Sequence, residues 1–335
     1  MTAKTVQPFL GLSTPRGTVL RERVQVASFA DGSAVTIPVV LVEGASEGPV
    51  VYIQAAIHGD EFAGTEACWQ LAAALDPAQL AGRVVIVPVA NTPAFLTRAR
   101  GFLLEERFLQ DGNRVFPGNL NGLLTERIVA HLLQGFVLHA DLSIDLHCAL
   151  DGSEIADFMH VGVKDNSDGH LALRQKLCHA FDMPYHFYRK PGMKLGTSDM
   201  SKSISSQGAD AGKAVIMAEF AGSRSIDFDK ATYAAGGLLR ILRAMEMWQG
   251  QTPQGAGFSP EDFSNINMVH CDAGGGLRPL VKLGDRVKVG DALAEIVDIF
   301  GQKQQTVTAH VDGFVLRLMT YGAVASGAEV AWIGN

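Results

Sequence analysis

Two histidines and a glutamate in this chain have the residue types and the spacing of a metal site. His58 and Glu61 lie three residues apart in the segment His-Gly-Asp-Glu, and His147 ends the segment Asp-Leu-His. Two imidazoles and one carboxylate are a frequent ligand set of catalytic zinc, which keeps a fourth position for water. Asp145 would share the face of His147 on a strand and could orient its ring. Because His-x-x-Glu pairs also occur by chance, and a histidine at a strand end is more often structural, the spacing alone leaves both interpretations open.

Two further positions could bind or activate a substrate. Asn113 and Arg114 combine an amide with a cationic fork that suits a carboxylate, although a polar loop with an Asn-capped turn explains the same pair. Glu219 directly follows the apolar run Ala-Val-Ile-Met-Ala. A carboxylate at that position either faces solvent at a strand end or lies in a site as a general base.

Alternating strands and helices must position these residues. Val50–Ile57 and Val84–Val89 are apolar runs typical of strands buried on both faces, and Leu142–Leu146 and Ala214–Ala218 are predicted as two further strands. Helical patterns cover Thr65–Leu75, Gly122–Leu133 and Thr232–Trp248, and a hairpin is predicted for Val24–Ala27 and Ala34–Val42. This alternation predicts an α/β fold with a mostly parallel sheet. Ligands of such sheets bind beyond the carboxyl ends of the strands, where the candidate residues lie.

The C-terminal part of the sequence has a different organisation. The stretch Gln249–Pro260 is rich in Gly, Pro and polar residues and is typical of a linker. Beyond it, a strand-rich motif recurs at an offset of 37 positions, with Gly276 matching Gly313. Two copies that are each too short to fold alone predict a small β sandwich or barrel. The predicted domains are a catalytic α/β domain over residues 1–258, with an N-terminal β segment over 1–45, and an all-β domain over residues 259–335.

The motifs together resemble those of the succinylglutamate desuccinylase and aspartoacylase family, a branch of the zinc carboxypeptidase-like hydrolases. The resemblance covers roughly residues 50–222 in motif order: His-Gly-Asp-Glu, an Asn-Pro-containing turn, an Asn-Arg pair, a strand ending in Asp-Leu-His and a late strand ending in Glu. It implies the zinc-carboxypeptidase-like fold, a mixed and mostly parallel sheet flanked by helices. It also implies one zinc ion per chain, held by His58, Glu61 and His147, with Glu219 as the general base.

The same resemblance assigns residues to the substrate. It places Asn113 and Arg114 on the carboxylate of an N-acyl amino acid. In the aspartoacylase pattern an arginine directly follows an Asn-Pro pair, whereas the turn here is Asn-Thr-Pro-Ala at 91–94. Arg100, a few residues later, resembles an arginine of the diaminobutyrate-deacetylase-like branch. The resemblance therefore gives Arg100 the role of stabilising the oxyanion, with Arg98 as the other candidate.

The C-terminal repeat is similar to biotinyl and lipoyl barrel-sandwich modules. Carriers of that kind hold a lysine flanked by methionines in the hairpin between the two halves, whereas Lys303 here has no methionine neighbour. We therefore expect no covalently attached cofactor. The alternatives are a structural role, an oligomer contact or a wall over the active site, and we expect a homo-oligomer.

Composition and charge argue against several classes of partner. The 335 residues are 47% hydrophobic and 19% charged, which is the balance of a folded chain rather than a disordered one. A net charge of −7, with 28 Lys and Arg residues spread thinly, argues against nucleic acid and anionic membranes as partners. The sequence has no signal-peptide pattern, no apolar stretch of membrane-spanning length and no Cys-x-x-Cys pair. We therefore expect a cytoplasmic protein.

The leading hypothesis is a zinc-dependent amidohydrolase that deacylates a small molecule, an N-acyl amino acid. The same fold could instead serve a carboxypeptidase-like peptidase that trims C-terminal residues. A non-catalytic metal- or ligand-binding protein is the third possibility, and the combination of candidate ligands and base weighs against it. The Ser-rich stretch 197–206 contains no Gly-x-Ser-x-Gly elbow, which disfavours a serine hydrolase, and its composition suits a lid. His160 could also approach the site.

Overall fold

The computed structural model describes residues 6–105, 111–150, 152–163, 167, 169–190, 192–195 and 198–335. The first twelve strands in this part of the chain are β1 (Thr18–Ser28), β2 (Ala34–Glu43), β3 (Ser46–Ala55), β4 (Ala81–Val87), β5 (Leu142–His147), β6 (Ser153–Ile155), β7 (Phe158–Val163), β8 (Tyr185–Arg189), β9 (Lys194–Leu195), β10 (Ser198–Asp199), β11 (Ala214–Glu219) and β12 (Glu261–Phe263). The α-helices described are α1 (Ala63–Ala74), α2 (Thr92–Thr97), α3 (Leu124–Gly135), α4 (Leu171–Phe181), α5 (Ile204–Asp210) and α6 (Phe228–Ala244). None of these helices combines the length and the apolar character needed to cross a membrane.

Nine of the described strands form one large sheet in the order β1-β2-β4-β3-β5-β11-β7-β8-β12. The pairs β3–β4, β3–β5, β5–β11, β7–β8 and β8–β12 are parallel. The pairs β1–β2, β2–β4 and β7–β11 are antiparallel. The predicted mixed and mostly parallel sheet is therefore confirmed, including the N-terminal hairpin.

Helices cover both faces of this sheet, which explains the nearly continuous apolar runs of its central strands. Val51 and Ile53 of β3 belong to the core that α1, α4 and α6 close on one face. Tyr52, between them, belongs to the core that α3 and α5 close on the other. Because successive side chains of a strand point to opposite faces, a strand covered on both sides must be apolar throughout.

The sequence pattern predicts a helix over residues 232–248, whereas α6 spans Phe228–Ala244. Both of its ends therefore lie four residues earlier in the chain than predicted. The side chain of Asp227 accepts a hydrogen bond from the first turn and caps the helix, so that it begins at Phe228. Beyond its end, Glu246 has a φ of 61°, in the left-handed region that a right-handed helix does not include. Trp248 extended the sequence pattern because it packs into the same core, although it does so outside the helix.

The C-terminal part is all β, as the sequence predicts. Its strands are β13 (Ile266–His270), β14 (Gly275–Pro279), β15 (Arg286–Val287), β16 (Ala292–Val297), β17 (Lys303–Thr308), β18 (Gly313–Met319), β19 (Ala323–Val324) and β20 (Glu329–Gly334). They form two sheets, β13-β20-β18-β15 and β17-β16-β14-β19. Strands β15 and β16 recur as β19 and β20 at the offset of 37 residues, so the sequence repeat is a structural repeat.

Backbone pairing joins the two parts of the chain. Strand β6, from the α/β part, pairs with β18 of the C-terminal part, with Glu154 opposite Leu318. Strand β12, from the segment after the linker, pairs with β8 at the edge of the large sheet. The C-terminal part is therefore docked at one edge of the α/β part, and the domain division at residues 258 and 259 stays a prediction.

Candidate metal and substrate site

Three adjacent parallel strands deliver the candidate residues to one end of the sheet. Strands β3, β5 and β11 run side by side. His58 and Glu61 lie in the turn that follows β3, His147 is the last residue of β5, and Glu219 is the last residue of β11. The parallel register places Glu219 directly opposite His147. The sequence expectation of a site beyond the carboxyl ends of the strands agrees with this arrangement.

His58, Glu61 and His147 form a compact buried cluster. One ligand atom from each residue lies within 4.8 Å of the others. The Nδ1 atom of His58 is 2.7 Å from Oε1 of Glu61, and Nδ1 of His147 is 2.9 Å from Oε2 of the same carboxylate. Both rings thus present the same nitrogen to one point, as the ligands of a single ion do. Among the described residues, no other group of three His, Cys, Asp or Glu side chains converges in this way.

Two outer carboxylates fix the opposite edges of the two rings. Nε2 of His58 lies 3.0 Å from Oδ1 of Asp111, and Nε2 of His147 lies 2.7 Å from Oδ2 of Asp145. Both nitrogens of each ring therefore face a carboxylate, and when a metal ion takes Nδ1 the proton stays on Nε2, which donates it to the outer carboxylate. Metal-bound histidines ordinarily have such a partner. The sequence suggested Asp145 for this role, whereas the role of Asp111 becomes visible only in the fold.

The charges in this cluster shift the pKa values of its members. Burial alone would lower the pKa of His147, but the carboxylates of Asp145 and Glu61 outweigh it and hold that pKa well above its ordinary value. Burial would raise the pKa of Glu61, and the two imidazoles reverse this and hold it well below its ordinary value. Protons on the two rings therefore balance the carboxylates of the metal-free cluster, and a metal ion that binds Nδ1 must release the protons held there.

A close backbone contact shapes the turn that carries His58 and Glu61. A Cβ atom on Gly59 would collide with the backbone of Ala94 in α2. The same helix is capped by Asn91, whose Oδ1 accepts a hydrogen bond from the N–H of Ala94. Only glycine can follow His58 at this separation, so the Gly of His-Gly-Asp-Glu is a packing requirement.

Arg100, rather than Arg98, reaches the site. Its Nε donates to Oδ2 of Asp111 at 3.0 Å, and its Nη1 lies 3.5 Å from Oε1 of Glu61. Arg98 is the left-handed residue that ends α2, is exposed and does not line the cavity. Of the two arginines left open by the sequence, Arg100 is the one placed beside the cluster.

Asn113 and Arg114 also line the cavity, and they differ in which of their polar atoms already have hydrogen-bond partners. Oδ1 of Asn113 accepts from the backbone N–H of Ile204 at 2.9 Å, which leaves its NH₂ group facing His147 at 3.3 Å from Nε2. Nη1 of Arg114 donates to the backbone oxygen of Asn113, and its buried Nε has no partner among the described residues. The Nε of Arg114 is thus a buried donor that still needs an acceptor.

Glu219 faces the cluster without a hydrogen-bond donor of its own in the described part of the chain. Its side chain is half-buried at the cavity wall. Burial raises the pKa of Glu219 to about 7, with the charge of His147 opposing the rise and that of Glu61 adding to it. A carboxyl group in this environment can both take and release a proton near neutral pH.

One cavity of about 80 Å³ is lined by the three candidate metal ligands, by Glu219 and by Arg100, Asn113 and Arg114. A single water needs roughly 10–15 Å³ of such space, so the cavity holds more than one water. His160 lines it too, and so do Ile266 and Trp332 from the C-terminal part. The sequence left several roles open for that part, and a wall over the site is the one that this cavity matches.

The Ser-rich stretch contributes to the cavity from its described residues, 198–206; Thr197 lies outside the described residues. Met200 lines the cavity, and Ser203 and Ser206 are buried. The hydroxyl of Ser203 is within hydrogen-bond distance of that of Ser206 at the start of α5. The serines here cap and pack a helix, and the role of a lid stays a prediction.

The chain is similar to known proteins over most of its length. Residues 47–245 match the protein family described as Succinylglutamate desuccinylase/Aspartoacylase catalytic domain. The N-alpha-acetyl-L-2,4-diaminobutyric acid deacetylase of Halomonas elongata is 27% identical over 272 residues, which are 79% of this chain and 75% of that protein. A product-bound structure of the ectoine utilization protein EutE from Ruegeria pomeroyi has a TM-score of 0.83 at 24% identity and covers 97% of both chains. A succinylglutamate desuccinylase/aspartoacylase from Rhodobacter sphaeroides has a TM-score of 0.81 at 22% identity, again over 97% of both chains.

Proposed function

Because the chain belongs to the succinylglutamate desuccinylase/aspartoacylase family, whose members are amidohydrolases, we propose that it is a zinc-dependent deacylase of an N-acyl amino acid. The family resemblance and the enzyme class expected from the sequence are confirmed by the match over residues 47–245. The observation that carries the proposal is the buried His58, Glu61 and His147 cluster facing Glu219 in one cavity.

The residues present fit a zinc ion. Two imidazole nitrogens and a carboxylate converge on one point, and an outer carboxylate holds each ring in the tautomer that a metal needs. His58, Glu61 and His147 would hold one ion per chain. When bound, zinc supplies a Lewis acid that polarises an amide carbonyl and lowers the pKa of water.

Glu219 is proposed as the general base and acid of the reaction. It accepts a proton from the attacking water, whose oxygen forms a bond to the carbonyl carbon. It then returns that proton to the amide nitrogen as the C–N bond breaks, which gives a carboxylic acid and a free amine. The position of Glu219 opposite His147, with no donor of its own among the described residues, supports this assignment.

The cationic residues are proposed to orient the substrate. Arg114, with a buried Nε that has no partner in the described part of the chain, binds the substrate carboxylate together with the NH₂ group of Asn113. Arg100, at 3.5 Å from Glu61, stabilises negative charge that develops on the carbonyl oxygen. A homo-oligomer and a cytoplasmic location also stay predictions.

Metal analysis and one carboxylate variant test the proposal. We expect about one zinc per chain in the wild type, retained zinc in Glu219→Gln, and a fall in kcat of about 100- to 10,000-fold in that variant. Glu154→Gln, which changes an exposed glutamate of β6, is the matched control and should keep both zinc and turnover. His147→Ala should lose zinc.

Substrates distinguish the deacylase from the peptidase alternative. Acyl amino acids and blocked dipeptides are compared at equal concentration with the zinc-loaded protein. Faster release of C-terminal residues from the dipeptides would favour the peptidase. Full turnover in Glu219→Gln, or unchanged turnover in His147→Ala, would contradict the proposed mechanism.

A further inference from the structure

The cavity has a polar end and an apolar wall. The polar end holds the metal-ligand cluster, Glu219 and the two arginines. The apolar wall, as we define it, consists of Ile155, Phe158, Phe187, Met217, Ile266 and Trp332. Five of these side chains are buried, and Ile266 is half-buried. These side chains line the same cavity as the reacting groups, so a substrate that reaches those groups will contact the apolar wall.

The apolar wall is built by both parts of the chain. Phe158 and Phe187 come from neighbouring strands of the large sheet and pack edge to face, with ring centroids 6.1 Å apart. Trp332 comes from β20, and its indole Nε1 donates to Glu329 at 2.8 Å. That bond satisfies the only polar atom of the indole, so Trp332 offers an apolar surface to a ligand.

Almost all the charged groups that line the cavity are either paired with another residue or used in the proposed mechanism. Glu61 and Glu219 are its only carboxylates among the described residues, and the proposed mechanism uses both. Arg100 is paired with Asp111, which leaves Arg114 as the one lining cation there without a carboxylate in hydrogen-bond contact.

The remaining polar group beside the apolar wall carries no charge. Burial and the nearby arginines lower the pKa of His160 to about 3, so its ring is neutral. Its buried Nε2 has no hydrogen-bond partner in the described part of the chain. A neutral imidazole can bind a substrate amide or hydroxyl, and it cannot neutralise a second carboxylate.

We propose that the substrate carries one carboxylate and one apolar group, as in an N-acyl derivative of an apolar amino acid. This inference rests on the proposed function. Among the described lining residues a second carboxylate would meet no cation against the apolar wall, and Arg317, which stacks on Trp332, is already paired with Glu329. Among the described lining residues, an ammonium side chain, as in the substrate named for the Halomonas relative, would find only the two carboxylates that the reaction already uses. A charge buried without a partner costs far more than an apolar group that fits.

A panel of amides with matched backbones tests this inference. N-acetyl-L-leucine is compared with N-acetyl-L-aspartate, N-acetyl-L-2,4-diaminobutyrate and N-succinyl-L-glutamate, using the zinc-loaded protein. We expect kcat/KM for the leucine derivative to exceed that for each charged derivative by on the order of 100-fold. N-hexanoylglycine tells whether the apolar wall takes the side chain or the acyl group, since its apolar atoms lie on the acyl side alone.

A charge placed in the apolar wall should change the preference. Ile266→Arg introduces a cation at a half-buried position, and we expect the ratio of kcat/KM for N-acetyl-L-aspartate over N-acetyl-L-leucine to rise at least about tenfold. Val289→Arg, at a position 64% exposed on the C-terminal part, is the matched control and should leave the ratio unchanged.

Calorimetry on the metal-free protein provides a readout without turnover. It should bind N-acetyl-L-leucine more tightly than N-acetyl-L-aspartate, and Ile266→Arg should reverse that order. If a charged derivative is the better substrate and the tighter ligand, the inference is wrong while the deacylase function stands. If no amide in the panel is hydrolysed by the zinc-loaded protein, the proposed function fails, and the binding order still decides whether the apolar wall selects apolar ligands.

Discussion

Replacing Asp145 by Asn should weaken zinc binding. Both oxygens of Asp145 accept hydrogen bonds: Oδ2 lies 2.7 Å from Nε2 of His147, and Oδ1 lies 2.8 Å from the amide nitrogen of Gln54. All three side chains are buried, so water cannot replace a lost partner. The proton on Nε2 keeps the Nδ1 lone pair of His147 free for a metal ion.

The substitution leaves a buried polar group unsatisfied in the metal-bound state. In Asp145→Asn one acceptor oxygen becomes an NH₂ group, which only donates. Without metal, His147 changes tautomer: Nε2 accepts from the new NH₂, and Nδ1–H donates to Glu61, which lies 2.9 Å away. With zinc, Nδ1 cannot carry a proton, so the proton of His147 stays on Nε2. The new NH₂ then faces another donor, either Nε2–H or the amide NH₂ of Gln54. One buried donor is then unsatisfied, which costs about 1–3 kcal/mol and corresponds to a Kd that is about 5- to 150-fold higher.

Competition with a chelator of known affinity measures this change in Kd, and thermal unfolding of the metal-free proteins measures stability. Asp141→Asn is the matched control, because Asp141 stands just before the same strand and its carboxylate accepts from the backbone of Val50 at 2.8 Å. We expect the control to bind zinc as the wild type does. Equal zinc affinity in Asp145→Asn and in the control would show that His147 does not bind metal through Nδ1.

Two further predictions concern the turn that carries the cluster and the linker. Gly59→Ala should displace His58, because its Cβ would collide with the backbone of Ala94, and should lower the zinc content found by metal analysis; Gly322→Ala, which meets nothing within 4 Å, is the control and should keep its zinc. Asp182 accepts hydrogen bonds from two backbone N–H groups of the linker, which hold its pKa below the ordinary value against the effect of burial. Asp182→Asn should therefore lower the free energy of unfolding by about 1 kcal/mol at neutral pH. In urea unfolding this difference should disappear as the pH falls below about 4, because a lowered pKa stabilises the fold only while the carboxyl is ionised; a difference that persists in acid would contradict the reasoning.

The parts of the site that lie on strand ends were predictable from the sequence. An apolar run without alternation indicates a strand covered on both faces, and β3 and β11 are such strands, whereas β5 alternates apolar and polar residues and is buried throughout. Neighbouring parallel strands end at the same edge, so a polar residue directly after each run belongs to one site. His147 and Glu219 satisfy this rule, and the register places them opposite each other.

The parts that depend on contacts between distant segments were not predictable. Asp111 lies in a loop, and nothing in its local sequence indicates that it accepts from His58 and Arg100. Gly59 looks like an ordinary turn glycine until α2 is seen against it. Trp332 lies more than a hundred residues after the last predicted site residue, in a module whose internal repeat says nothing about what it faces. These contacts are set by packing between elements, which local patterns do not encode.

The two copies of the C-terminal repeat have diverged where one of them meets the α/β part. Arg317, in the second copy, is buried: its Nε donates to Ser153 at 2.7 Å, its Nη1 donates to Glu329 at 2.8 Å, and its guanidinium stacks on Trp332 at 4.7 Å from the ring centroid. The positions 37 residues earlier hold Leu280, Ala292 and Glu295 in place of Arg317, Glu329 and Trp332.

Both copies keep the glycines and apolar residues of the repeat, whereas only the second copy has this trio. The trio lies where the second copy docks on β6, and its Trp332 lines the cavity. The two copies therefore differ at the face that contacts the α/β part, where packing against another element adds a requirement that the first copy does not meet.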